Sequence, residues 1–359
     1  MIRLNHINDM IKLNKREEDV LLISIRKDYM SSSEMHSELK KKEDLSLVTV
    51  KRTLSEMTEK GLLDVVGSGR STKYKISVWG RVFSEVDSSA YISIEPDKRY
   101  GLKGYNFNLF PSFPQEIFTE DELKKLEHFT LQYKEKVNNL SSTIKKKELE
   151  RLTIEFSWKS SKIEGNTYTL LDTEKLILEN KEAEGKTKEE TQMILNHKDA
   201  LYFVYENKDD FKKFTRAKLE EVHKLIVKDL GVSLGLRKSP VGISGSLYRP
   251  LDNGYQIEEA LNTLIETINR FSNPYTKAVV TLLGISYIQP FEDGNKRTAR
   301  IIADALLMAE NHAPLSYRSV DEKEYKEATL AFYELNSVMP FKKIFIDQYK
   351  FSAENYAIA

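Results

Sequence analysis

Cysteine is absent from all 359 residues. Disulfides and thiolate metal sites are therefore excluded, and the composition is compatible with a reducing cytosol. Histidine is scarce, with six copies, and their spacing matches no zinc motif. Net charge is missing too. Lysine plus arginine number 55 and aspartate plus glutamate 55, so the chain has no global nucleic-acid signature. No apolar run is long enough for a membrane span; Ala278 to Ile288 is too short to cross a bilayer. The start, Met1-Ile2-Arg3-Leu4-Asn5-His6, lacks the apolar core of a secretory signal. These absences predict a soluble, cytoplasmic protein without a membrane partner. No repeat or low-complexity segment stands out, and the length suggests about two to three domains.

The most informative stretch present is Gln289-Pro290-Phe291-Glu292-Asp293-Gly294-Asn295-Lys296-Arg297-Thr298-Ala299-Arg300. Asp293 is a hard oxygen ligand, suited to a magnesium ion carried in on a nucleotide. Gly294 permits a tight turn with close backbone approach, and Asn295 tolerates the left-handed conformation such turns often need. A helix starting near Lys296 would turn its free N–H groups toward that bend, where they and the helix dipole attract phosphate. Arg297 and Arg300 are three apart, on one helix face, and suit charge-assisted bonds to the same phosphate chain. Taken singly, an Asp-Gly-Asn segment is an ordinary turn and two helical arginines an ordinary solvated face. Their conjunction between apolar helices favours a rigid loop aimed at a polyphosphate.

The segment resembles the signature of Fic (Fido-domain) proteins, His-Pro-Phe-x-Asp/Glu-Gly-Asn-Gly/Lys-Arg-x-x-Arg. Only the first position departs from it. The resemblance implies transfer of AMP from ATP to a Ser, Thr or Tyr hydroxyl of a target protein, which includes the chain itself. It assigns magnesium to Asp293, an anion nest to Gly294, Asn295 and Lys296, and phosphate binding to Arg297 and Arg300. The family histidine would deprotonate the target hydroxyl, and here that position is Gln289. An amide accepts no proton near neutral pH, whereas histidine does. Loss of a general base lowers a rate by roughly a hundred- to ten-thousand-fold. The expectation is a nucleotide-binding fold with weak or absent transferase activity. Lys296 also occurs in the Doc-like branch, whose members resemble kinases, so AMP transfer, phosphate transfer and AMP removal all stay open.

Upstream lies Ser160-Ser161-Lys162-Ile163-Glu164-Gly165-Asn166. Leu149, Leu152, Phe156 and Ile163 precede or enter it near helical spacing, and Gly165-Asn166 reads as a C-cap. Ser160 and Glu164 share a helix face. By composition Glu164 is a solvated residue. The motif, however, resembles the inhibitory helix of Fic proteins, which implies that Glu164 pairs with Arg300 and blocks placement of the γ-phosphate. Between the two motifs, residues 235–250 are broken by glycine and proline, while Val241 and Ile243 alternate like a short strand. They read as a β-hairpin or long loop. The stretch Val241-Gly242-Ile243-Ser244-Gly245 resembles the Fic flap, which registers the target side chain by main-chain pairing.

The N-terminal third reads differently. A helix-like run spans Asp19 to Arg26. Ser31 to Glu34 offer a cap before Met35 to Leu39, and Ser46 caps a third helix carrying Val50, Leu54 and Met57. Two β-like runs around a Gly/Ser turn follow, from Val65 to Ile76. The pattern resembles a winged helix-turn-helix. Lys51 and Arg52 would lie on the recognition helix and Arg70, Lys73 and Lys75 on the wing, where they suit DNA phosphates or a plain solvated face. The expected organisation is a winged helix over 1–82, a connector over 83–115, a helical region with the inhibitory segment over 116–200, and a Fic core over 201–359. The fold class is mainly α, with a β-hairpin flap and a small α+β N-terminal domain. Two functions compete: an autoinhibited protein adenylyltransferase using ATP and Mg2+, or a DNA-binding transcriptional regulator whose degenerate core senses nucleotide or binds a partner. Oligomeric state, a homodimer included, is left open.

Overall fold

The computed structural model describes residues 12–358; the opening Met1 to His6 segment therefore lies outside the described residues. The chain divides into two compact units. One runs through Glu120 and adds Ile243–Arg249 and Lys326–Lys342; the other comprises Asp121–Gly242, Pro250–Tyr325 and Lys343–Ala359.

In the first unit, α1 (Lys15–Ser24) begins where Asn14 accepts from the N–H groups of Arg16 and Glu17 while Glu17 returns a bond to Asn14. That reciprocal cap starts the helix earlier than the expected Asp19. Ser31 and Glu34 cap α2 (Ser32–Leu39) in the same way, and Ser46 caps α3 (Leu47–Glu59). Val20, Leu21, Met35, Leu39, Val50, Leu54 and Met57 form the shared core. Next, β1 (Leu63–Val66) pairs antiparallel with β2 (Lys73–Ile76), Leu63 opposite Ile76 and Val66 opposite Lys73. Gly67 turns the wing at φ +81, where an added Cβ would meet the Ser71 carbonyl at 2.7 Å. Short helix α4 (Val78–Val82) ends the range expected for the winged helix, and α5 (Ser88–Ile92) lies in the expected connector. The connector is anchored by a buried ion pair between Arg99 and Glu334 at 3.1 Å. Glu334 also accepts from Tyr91, Ser246 and the Leu247 N–H.

The second unit is helical. It contains α6 (Glu120–Asn138), α7 (Ser142–Ile163), α8 (Leu170–Glu179), α9 (Lys188–Glu206), α10 (Arg216–Ile226), α11 (Gly254–Arg270), α12 (Pro274–Ile288) and α13 (Asn295–Ala309). Helices α14 (Glu322–Leu335) and α15 (Met339–Asn355) give residues to both units. Every residue of α12 from Ala278 to Ile288 is buried, which a helix apolar on all sides requires. It packs against α11 and α13, and α7 packs against α9. Burial of side chains such as Leu282, Leu283, Ile285 and Ile288 contributes about 1.5–3 kcal/mol each, so the loop after α12 leaves a rigid platform. Among the described residues no helix is long and apolar enough to cross a membrane.

The flap segment differs from the hairpin expectation. The β1–β2 pair is the sole sheet among the described residues, and 241–245 carries a turn at 244–245 instead of a strand ladder. Pro240, Gly242 and Gly245 (φ +73) interrupt self-pairing. The backbone bonds outward instead, from Arg237 N–H to the Pro290 carbonyl and from Arg249 N–H to the Lys103 carbonyl.

Candidate active site

The loop from 289 to 294 is set by two left-handed residues. Gln289 closes α12 at φ +51, with its N–H on the Ile285 carbonyl at 3.0 Å. Gly294 opens α13 at φ +78. Asn295, expected to take the left-handed position, is instead the first helical residue. Its side chain staples the turn: it accepts from the Phe291 N–H at 2.9 Å and donates to the Phe291 carbonyl at 2.8 Å and to the Gln289 amide oxygen at 3.0 Å. Glycine takes the positive φ because it alone adopts it without strain. The other end of the Gln289 amide donates to the Ser286 carbonyl at 2.6 Å, so both its polar atoms are engaged inside the loop.

Two residues that no pattern singled out hold this loop from outside. Arg237, buried, donates Nε to the Gln289 carbonyl at 2.6 Å and Nη1 to the Ser239 carbonyl at 2.9 Å, and also binds the Leu251 carbonyl. The ring of His223 stacks on Phe291, centroids 3.7 Å apart, and its Nε2 donates to the Asp293 carbonyl at 3.0 Å. Burial lowers the His223 pKa, Asp293's backbone opposes that, and Arg297 adds to the lowering. His223 is thus a neutral support under the loop.

The charged residues converge. Arg297 is buried and reaches the mostly exposed Asp293 carboxylate at 2.6 Å. Fully buried Arg300 donates Nε to Ser160 Oγ at 2.8 Å and Nη2 to the Ser160 carbonyl at 2.9 Å. Its Nη1 lies 2.9 Å from Glu164 Oε1, and Lys296 Nζ lies 3.5 Å from the other carboxylate oxygen. Glu164 is the C-cap of α7, turned by Gly165 at φ +100. Burial alone would raise its pKa; Arg300, Lys296 and Arg297 overcome that and hold it at about 2. The Glu164–Arg300 contact is close but off-axis. Neither Arg300 Nη1 nor Glu164 Oε1 has an aligned hydrogen-bond partner, and Arg297 Nη1 also lacks one. Buried guanidinium donors that no acceptor meets squarely mark a place suited to an anion.

The second unit thus gathers Gln289, Asp293, Gly294, Asn295, Lys296, Arg297 and Arg300 with Ser160 and Glu164. Lys51, Arg52, Arg70 and Lys73 are exposed in the first unit, and Arg52 is tied to Glu56 at 2.8 Å. Val48, at the start of α3, is 77 % exposed. No group of histidines and acids able to hold a metal alone occurs among the described residues.

Comparison with known proteins bears on both units. Residues 213–307 match the Fic/DOC family, and residues 13–87 match the penicillinase repressor family. The chain thus carries a Fic/DOC segment over 213–307 and, before it, a winged helix-turn-helix region that matches the penicillinase repressor family over 13–87. It is 27 % identical over 188 residues to a protein adenylyltransferase Fic of Nematostella vectensis, covering 51 % of this chain and 44 % of that protein. Against the Culex quinquefasciatus protein of the same name it is 25 % identical over 217 residues, covering 59 % and 43 %. The chain spans less than half the length of these relatives. Among solved structures, Fic-1 of C. elegans superimposes with a TM-score of 0.58 at 18 % identity over 90 % of this chain and 86 % of that one. A Fic domain-containing signalling protein of Bacteroides thetaiotaomicron gives 0.55 at 18 % identity over 64 % and 94 %. These structures share its fold.

Proposed function

We propose that the chain binds ATP at the 289–300 loop and is a Fic-type protein adenylyltransferase, held back by Glu164 and slowed by Gln289. The observation that carries this is the pair of buried arginines. Each keeps an Nη1 donor without an aligned acceptor, and a carboxylate occupies the place beside Arg300. A phosphate oxygen is the natural replacement for that carboxylate. Gly294 and the first N–H groups of α13 face the loop, where a helix start favours phosphate. Arg297 and Arg300 would bind the phosphates, with Lys296 as a further point charge.

The Asp293 carboxylate, paired with Arg297 yet mostly exposed, fits magnesium, which is held by one or two carboxylates plus substrate phosphates. Asp293 would hold the ion, which when bound would supply charge neutralisation on the phosphate chain. In the flap at 241–245 the Ile243 and Gly245 carbonyls are already engaged by Ser246 and Arg99, so the main chain of Val241 and Gly242 would be what pairs with a target segment. Nothing at position 289 takes the hydroxyl proton, since the Gln289 amide is neutral and bonded at both ends. The use of ATP and the absence of cysteine suit a cytoplasmic protein. The test is calorimetry with ATP and magnesium, followed by labelled-AMP transfer from the Gln289→His form to itself and to lysate proteins. Absence of ATP binding in the parent and in Glu164→Gly would overturn this reading.

A second reading has its own support. The N-terminal unit matches a repressor family, and its exposed α3 and wing carry Lys51, Arg52, Arg70 and Lys73. A DNA-binding regulator would then use the core as a nucleotide sensor. Phosphate contacts by those residues predict DNA affinity that falls steeply with salt, by a slope of about −0.9 per contact. A flat salt response removes this alternative.

A further inference from the structure

The buried ring of His197 on α9 is used by no function described so far. Its surroundings fix every proton on it. Nδ1 lies 2.7 Å from the Met193 carbonyl and 3.2 Å from Ser161 Oγ. A carbonyl only accepts, so Nδ1 carries the hydrogen. Burial lowers the ring's pKa to about 3, with Arg297 next in effect, Met193 opposing and Arg300 adding. The ring is neutral, and Nε2 is a bare acceptor. At 2.8 Å from Nε2 stands Ser160 Oγ, which must donate its hydrogen there. Its lone pairs are left for the Nε–H of Arg300 at 2.8 Å.

We propose that His197 is a positioning residue for the phosphate-binding arginine. Through the Ser160 hydroxyl it fixes the plane of the Arg300 guanidinium, so that Nη1 faces the place contested by Glu164 and a γ-phosphate. This rests on the ATP reading above and names a residue that acts through another without touching substrate. The chain of bonds runs from Met193 carbonyl to His197, Ser160 and Arg300, and every member is buried except the partly buried Met193. A second Arg300 donor, Nη2, rests on the carbonyl of the same Ser160, so one residue sets both the position and the tilt of the fork. A ring fixed in its opposite tautomer would donate to Ser160 and set a bare Nδ1 lone pair against the Met193 carbonyl oxygen.

Two amide substitutions separate the ring's atoms. In His197→Gln the side-chain amide reaches the Nε2 position and offers an acceptor to Ser160. In His197→Asn the amide keeps only the Nδ1 donor position. Both are placed in the Glu164→Gly background, so that release of the carboxylate does not mask loss of the arginine's orientation. The Gln form is expected to bind ATP like its Glu164→Gly parent, while the Asn form loses about tenfold in ATP affinity and keeps its ADP affinity. Equal ATP affinity in the two variants overturns the proposal, as does an equal loss for ATP and ADP. A Glu164→Gly parent that binds no ATP overturns the nucleotide reading instead. A readout without nucleotide guards the same point. Ring nitrogen NMR of the unmodified protein is expected to show the Nδ1–H tautomer, with an Arg300 Nε–H slow to exchange that becomes fast in His197→Asn. An Nε2–H tautomer, or unchanged exchange in the Asn form, sinks the proposal.

Discussion

Glu164 Oε1 and Arg300 Nη1 lie 2.9 Å apart, the arginine with no exposure and the glutamate side chain 19 % exposed. Glu164 is the C-cap residue of α7, so its carboxylate sits at the helix end where the dipole disfavours negative charge. It is held there by cations rather than by its own helix. Removing it leaves a buried guanidinium without its counter-charge, which is destabilising.

Two consequences of Glu164→Gly can be measured together. ATP affinity is expected to rise about tenfold, because the carboxylate no longer competes for Arg300. Thermal stability without nucleotide is expected to fall, and saturating ATP to restore it through linkage. Calorimetry and a melting series with and without ATP provide both readings. A variant with unchanged affinity and an unchanged melt would show that the pair is ornamental.

Lys296 makes the restraint on Glu164 a two-cation arrangement. Its Nζ is 3.5 Å from the second carboxylate oxygen. The folded-state pKa of Glu164, about 2, lies below the ordinary 4.5. A depressed carboxylate contributes stability that is full above pH 4.5 and is lost as pH falls toward 2. Lys296→Ala removes one of the lowering charges. The Glu164 titration midpoint, followed by carboxyl carbon NMR, should then move upward, and the onset of acid destabilisation with it. A midpoint that stays at about 2 would mean that Arg300 and Arg297 suffice.

Restoring a base at position 289 tests the chemistry independently of binding. Gln289→His is expected to raise AMP transfer by roughly a hundred- to ten-thousand-fold. ATP affinity should stay within a few-fold, since Arg297, Arg300 and the start of α13 are untouched. The new ring must take up Gln289's left-handed backbone and lose its bond to the Ser286 carbonyl. Coupling the change with Glu164→Gly is the sensitive form of the assay. No transfer in the double variant, with ATP bound, would show that a missing base is not what silences the site.

The parts of this architecture legible in sequence are those built from local patterns. Caps at Ser31 and Ser46, the apolar α12 and the Gly165 terminus of α7 each declare themselves within a few neighbouring residues. So did the pairing of Glu164 with Arg300, though only through resemblance, since 136 positions separate them. Arg237 and His197 were invisible for a physical reason. Arg237 donates to backbone carbonyls, which every residue carries, and His197 meets one carbonyl and two common serine hydroxyls, so no distinctive residue type marks the other end of the bond. The strand expected at Val241 and Ile243 failed for the converse reason: alternation marks a strand only when a partner lies alongside it.

Gly294 is the position where the local and the tertiary arguments meet most sharply. Its φ of +78 is a conformation that an alanine adopts with strain. Its surroundings are as restrictive as its backbone. An added Cβ would stand 2.8 Å from Val227 Cγ1 and 3.3 Å from Ile226 Cγ2, both on side chains fixed in the core at the end of α10. Relief requires either the turn or the α10 terminus to move. Moving the turn shifts Asp293, whose carbonyl rests on His223, and tilts the first turn of α13 away from the phosphate position. Gly294→Ala is therefore expected to lower stability by about 1–3 kcal/mol and to weaken ATP binding by more than tenfold. Thermal melts and calorimetry would show whether the two losses occur together. An alanine variant that melts like the parent and binds ATP equally would mean that the cradle is loose enough to absorb a methyl group, and a loose cradle does not orient a triphosphate.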